Sequence, residues 1–316
     1  MAGRGLLQRG RRKVGGDEAH DEEAVQAEVE EPAGRTDAET RELLDLAHEY
    51  SLHEGQSRFR ERNPGEFWSI ECIDVYKSFG RRPILNGLNL GIPEGMITIV
   101  LGPSGTGKSV LIKHLIGLLF PDYGDILVHG ESVPNMTTSQ LLEMRQKFGI
   151  LFQDGALFGS MNIFDNVAFP LRQNTDMPED QIAQVVNQRL GEVGMGHAGE
   201  LMPNELSGGM RKRAGFARAL VTEPEIVIFD EPDSGLDPVR TALLCDLISE
   251  MHARHGGTYI VITHDIASLH QIGQYISVLW KGRIVQAGSR AEMFTSDNPF
   301  VRQFLNRRSE GPLGMD

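Results

Sequence analysis

Hydrophobic positions in the middle of the chain fall into short unbroken runs separated by polar, glycine-rich stretches. Met96 to Leu101 is a β-branched run bounded by Gly95 and Gly102 and predicts a strand. Ile226 to Phe229, closed by Asp230 and Glu231, predicts a buried strand, and Tyr259 to Ile262 a third. Lys108 to Leu119 instead places its apolar residues at helical spacing. Between Gln153 and Leu206 the pattern turns mostly helical, including Pro178 to Val193, and Leu206-Ser207-Gly208-Gly209-Met210 then opens a further helix with Ser207 as its cap. Strands alternating with helices predict an α/β fold around a parallel sheet.

The loop between the first strand and the first helix carries chemistry. Gly102-Pro103-Ser104-Gly105-Thr106-Gly107-Lys108-Ser109 fits G-x-x-x-x-G-K-[ST] in the order strand, glycine loop, helix. Such a loop aims successive backbone N–H groups at phosphates, with the positive end of a helix dipole behind them. Lys108 is expected on the β- and γ-phosphates and Ser109 on Mg²⁺, which makes a nucleotide the first ligand to consider. At the end of the second strand, Asp230 suits a place near the metal and Glu231 the activation of a water. A strand end with two acids, or a helix capped by Ser207 and two glycines, is unremarkable in isolation; the phosphate loop gives both their meaning.

The remaining motifs fall in an order that resembles the nucleotide-binding subunit of ABC transporters over about residues 69 to 305. Gln153 in Leu151-Phe152-Gln153 is similar to the Q-loop, Leu206 to Met210 to the signature, and Ser234-Gly235-Leu236-Asp237 to the D-loop. His264 in Ile262-Thr263-His264-Asp265 is similar to the switch histidine, and Phe79 falls where the family stacks an aromatic on adenine, with Tyr76 a weaker substitute. The resemblance implies an ATPase with Glu231, His264 and Gln153 as catalytic residues. It implies ATP held by Phe79, by the loop from Gly102 through Val110, and by Ser207, Gly208 and Gly209, with Mg²⁺ held through Ser109, Gln153 and Asp230. It further implies a P-loop NTPase fold: a RecA-like parallel sheet, an antiparallel β subdomain and a helical subdomain at about residues 154–215 that docks the membrane partner. One chain with one phosphate loop is half of an ABC pair, so a homodimer with two composite ATP sites is expected.

Composition refines this picture. The 316 residues hold 40% hydrophobic content and no long internal repeat, enough for one large globular unit. Of the net charge of −13, the segment Val14 to Ser57 supplies −12, with fourteen Asp and Glu against two Arg. That leaves no basic surface for nucleic acid. Residues 1–66 therefore read as an acidic, largely disordered extension, residues 67–305 as the nucleotide-binding domain and 306–316 as a tail. Within the extension, Thr36 and Glu39 fit a capping box ahead of Leu43, Leu44 and Leu46. No segment approaches the roughly 18 consecutive apolar residues of a membrane span, so the chain is expected as a peripheral protein on the cytoplasmic face of the membrane, working with integral permease subunits. Cys72 and Cys245 read as buried free thiols, one on a strand and one on a helix.

A narrower likeness concerns cargo. Phe152-Gln153-Asp154-Gly155-Ala156-Leu157-Phe158 and the stretch Met161 to Arg172 resemble the ATPases of Mce-type lipid transporters, the MlaF and MceG (Mkl-like) group. Met210 in the signature agrees, and Asn298 to Leu305 with Gly311 to Met315 look most like the actinobacterial branch. The resemblance implies lipid cargo and Mce-domain proteins as indirect partners; the ATPase of an amino-acid-type importer shares the catalytic set. A non-transport ABC protein acting on DNA or ribosomes usually carries tandem ATPase units or a long coiled-coil insertion, and this chain has neither. Arg211, Lys212 and Arg213 are expected either on a salt-bridged surface or at phosphate. Phe300, Val301, Phe304 and Leu305 form an amphipathic segment expected to dock on a partner subunit or a regulator.

Overall fold

The structure, a computed structural model, describes residues 67–312. The acidic extension to residue 66, its capping-box helix and the last four residues lie outside the described residues. Six strands form the central sheet in the order β10-β9-β3-β8-β7-β6. They are β3 (Ile97–Leu101), β6 (Phe148–Leu151), β7 (Ile226–Asp230), β8 (Thr258–Thr263), β9 (Tyr275–Trp280) and β10 (Arg283–Ser289). All neighbours pair in parallel except β10 with β9. A second, antiparallel sheet, β2-β1-β4-β5, is built from β1 (Trp68–Phe79), β2 (Arg82–Pro93), β4 (Tyr123–Val128) and β5 (Glu131–Ser132).

The unbroken hydrophobic runs follow from burial of the central sheet on both faces. Ile97, Ile99, Val227, Phe229, Tyr259 and Val261 point into one core, shared with α3 (Ile163–Asn174), α4 (Glu179–Glu192), α5 (Gly208–Leu220) and α6 (Pro238–His255). Their neighbours Val100, Ile226, Ile228, Ile260 and Ile262 point into the other, shared with β1, β2, α1 (Lys108–Leu115) and α2 (Thr138–Gln146). Both cysteines are buried and free, Cys72 on β1 and Cys245 on α6.

Two expectations change. The helix after the phosphate loop stops at Leu115 rather than Leu119, because Gly117 takes φ 66° and the N–H groups of Leu118 and Leu119 turn back to the Lys113 carbonyl. The C-terminal segment does not keep its apolar face for a partner. After α7 (Ile266–Ile272) and α8 (Arg290–Phe294), it forms α9 (Pro299–Leu305), and Phe300, Val301 and Leu305 are buried in the chain's own core. Trp280 at the end of β9 supplies the seat: its ring stacks on Phe300 at 4.3 Å and 17°.

Candidate functional site

The phosphate loop leaves β3 at the middle of the sheet. A Cβ on Gly102 would lie 2.4 Å from the Leu279 carbonyl oxygen, so the close approach of β9 demands glycine there. Gly105 and Gly107 adopt φ 80° and 101°, which curl the loop and deliver it to the first turn of α1. Thr106 Oγ1 donates to the Pro103 carbonyl at 2.9 Å and tightens the turn. Ser104, Gly105 and Ser109 face outward, while Lys108 is buried, its Nζ donating to the carbonyls of Gly102 at 2.9 Å and Pro103 at 3.0 Å.

The same ammonium lies 3.4 Å from Glu231 Oε1, and His264 Nδ1 lies 3.8 Å from Glu231 Oε2. Parallel pairing of β7 with β8 and of β8 with β3 brings these three together, since all follow C-terminal strand ends of one sheet. Glu231 holds φ 46°, unusual for a residue with a side chain, and its N–H donates to the Ile262 carbonyl at 2.8 Å. Asp230, half-buried at the end of β7, has its carboxyl pushed above the usual range by burial and then by the neighbouring Glu231 charge, against a smaller pull from Lys108.

Gln153 follows β6, exposed, and joins the cluster indirectly: its Nε2 donates to Ser234 Oγ at 2.9 Å, and the Ser234 N–H donates to the Glu231 carbonyl at 3.1 Å. Ser207, Gly208 and Gly209 stand apart at the start of α5, with Ser207 Oγ accepting from the Met210 N–H at 3.3 Å. Among the described residues no hydrogen bond or ion pair links them to the phosphate loop. Neither glycine has a positive φ, and a Cβ on either would meet nothing closer than 4.0 Å. The chain's own packing therefore does not require glycine at these half-buried positions.

Phe79 ends β1 with half its surface exposed and the Lys77 ammonium 5.8 Å over its ring. Tyr76 is already engaged, edge-on to Tyr123 at 5.9 Å and covering Gly87. Of the three basic residues after the signature, none sits in a salt bridge among the described residues: Arg211 donates to the Leu206 carbonyl, Arg213 to those of Val193 and Gly194, and Lys212 to those of Pro232 and Ser234. Sequence reasoning missed Lys212, Asp233 and Thr263 as one linked group. The available signal was a lysine inside the helix-opening motif, but only the fold brings its tip to the loop after β7.

The family model described as "ABC transporter" matches residues 85–234. The probable ribonucleotide transport ATP-binding protein mkl of Mycobacterium tuberculosis is 49% identical over 247 residues, covering 78% of this chain and 69% of that protein. The intermembrane phospholipid transport system ATP-binding protein MlaF of Escherichia coli is 41% identical over 244 residues, covering 77% and 91%. Among solved structures, cbiO1 of Clostridium perfringens, part of the ABC transporter complex cbiONQ, superposes with TM-score 0.67 at 30% identity, over 75% of this chain and 95% of that one. The cassette MJ0796, solved as a dimer in a post-hydrolysis state with ADP and Pi, gives TM-score 0.64 at 27% identity over 70% and 98%.

Proposed function

Because the chain belongs to the ABC transporter family as an ATP-hydrolysing subunit, we propose that its ATPase cycle energises lipid movement through membrane-embedded permease subunits acting with Mce-domain proteins. The observation that carries the cargo is the likeness to MlaF, 41% identity spread over 91% of that protein. The name of the mycobacterial relative favours a second reading, a small polar solute such as a ribonucleotide.

In this reading Glu231 is the general base for the attacking water, and His264 holds the γ-phosphate beside it. Lys108 moves from its loop carbonyls to the β- and γ-phosphates, Phe79 stacks on adenine, and Gln153 reports the state of the site through a loop that can move. Ser207, Gly208 and Gly209 serve the ATP of a second subunit, a reading supported by the fact that the chain's own packing does not demand glycine at either position. The donor set also suits Mg²⁺. Asp230 is a carboxylate kept uncomfortable by burial and by Glu231, and a hard divalent cation would relieve it. Among the described residues no three His, Cys, Asp or Glu cluster as a metal cage, so Ser109, Asp230 and Gln153 would share the cation with phosphate oxygens and water. When bound, the metal supplies charge neutralisation at the phosphates.

No helix among the described residues is long and apolar enough to cross a membrane. The test is ATP-dependent movement of labelled phospholipid, fatty acid or sterol in vesicles that hold the native complex, with Glu231→Gln as the hydrolysis-deficient control. Lipid movement that stops in the variant is the expected result. ATP-driven ribonucleotide uptake without lipid movement would reverse the cargo and leave the ATPase chemistry in place.

A further inference from the structure

We infer that Lys212 is a positioning residue for ATP hydrolysis: from the helix that the signature opens, it grips the turn Glu231–Ser234 and thereby sets the Glu231 carboxylate against His264. The inference deepens the reading of Glu231 as the base and rests on it. Lys212 is only 4% exposed, and its Nζ donates to the Pro232 carbonyl at 2.6 Å and to the Ser234 carbonyl. A buried ammonium bonded to carbonyls rather than to a carboxylate is an expensive choice for a helix face whose neighbours Ala214, Gly215 and Phe216 are small or apolar. Burial pulls its pKa down, and the carboxylates of Asp233 and Asp154 push it back up at longer range.

The turn is held from the opposite side as well. Asp233, buried, accepts a hydrogen bond from Thr263 Oγ1 at 2.7 Å, and that oxygen accepts the Asp265 N–H at 2.8 Å. Thr263 immediately precedes His264. Glu231, immediately before the gripped residues, holds φ 46°, a conformation that a residue with a side chain keeps only where its surroundings over-determine it. Ser234, whose carbonyl Lys212 holds, also carries the hydroxyl that receives Gln153. Lys212 thus bears on both side chains flanking the hydrolytic centre while touching none of the groups that bind nucleotide.

The experiment compares Lys212→Met, Lys212→Gln, Thr263→Val and Glu231→Gln in the full chain, reading kcat, the KM for ATP, the Kd of a fluorescent ATP analogue and the thermal melt. Lys212→Met and Thr263→Val are expected to lower kcat at least tenfold, with KM and Kd within twofold of wild type. Lys212→Gln, whose amide still donates, recovers part of that loss. The double variant falls little below the worse single one, because both grips act on one turn. Should Lys212→Met fail to melt cooperatively, Thr263→Val carries the same kcat-against-KM test. Wild-type kcat in a folded Lys212→Met beside an inactive Glu231→Gln overturns this inference alone, as does a fall in kcat matched by loss of affinity. A Glu231→Gln that turns over like wild type overturns the base assignment itself, and the inference falls with it.

Discussion

Glu231 stands between the Lys108 ammonium at 3.4 Å and the His264 ring at 3.8 Å, so the two functions of the site separate by single substitutions. Glu231→Gln keeps the shape of the side chain but cannot accept a proton, so turnover is expected to fall by about 10²-fold or more while ATP affinity stays within a few-fold. Lys108→Ala is expected to weaken binding itself; equilibrium titration beside a phosphate-release assay separates the two. Asp230 allows a pH test with a fixed sign. A carboxyl whose pKa rises on folding costs stability above that pKa and nothing where both states are protonated. In metal-free buffer Asp230→Asn should therefore raise Tm at neutral pH, and the gain should vanish as the pH falls below about 4, near the ordinary Asp value. A gain that persisted in acid would place its origin elsewhere. At this scale the phosphate loop was legible because its chemistry is local in sequence. Lys212, Asp233 and Thr263 were not, because their contacts span 20 to 30 positions that only sheet order closes.

Among elements, the central strands were legible for a physical reason: a strand covered on both faces reads as a continuous apolar run. The end of α1 was misread because Leu118 and Leu119 prolong the apolar pattern past Gly117, where the backbone has already turned. The C-terminal helix was misassigned for the opposite reason. Its amphipathic face was read correctly, but the seat at Trp280 lies on a strand about 20 positions earlier, which periodicity does not reveal. Phe300 is 2% exposed and stacked there, so Phe300→Ala is expected to cost about 3–5 kcal/mol in a denaturant melt. A loss below about 1 kcal/mol would mean that α9 contributes little to the core. Another long-range tie joins α4 to the end of α6, where buried Arg189 meets Glu192 at 2.8 Å and His255 Nε2 at 2.7 Å.

For the molecule as a whole, the acidic charge is concentrated between Val14 and Ser57, and the sequence carries a single phosphate loop. Family membership follows from broad similarity, including 41% identity over 91% of MlaF. The direct test is affinity purification of the full chain from its native membranes, with Lys108→Ala alongside and co-purifying proteins identified by mass spectrometry. The lipid-transport reading predicts a small permease together with Mce-domain proteins. A permease accompanied by a soluble solute-binding protein would contradict it while leaving the ATPase intact, and ribosomal or DNA-repair proteins in place of any permease would contradict the transport function itself.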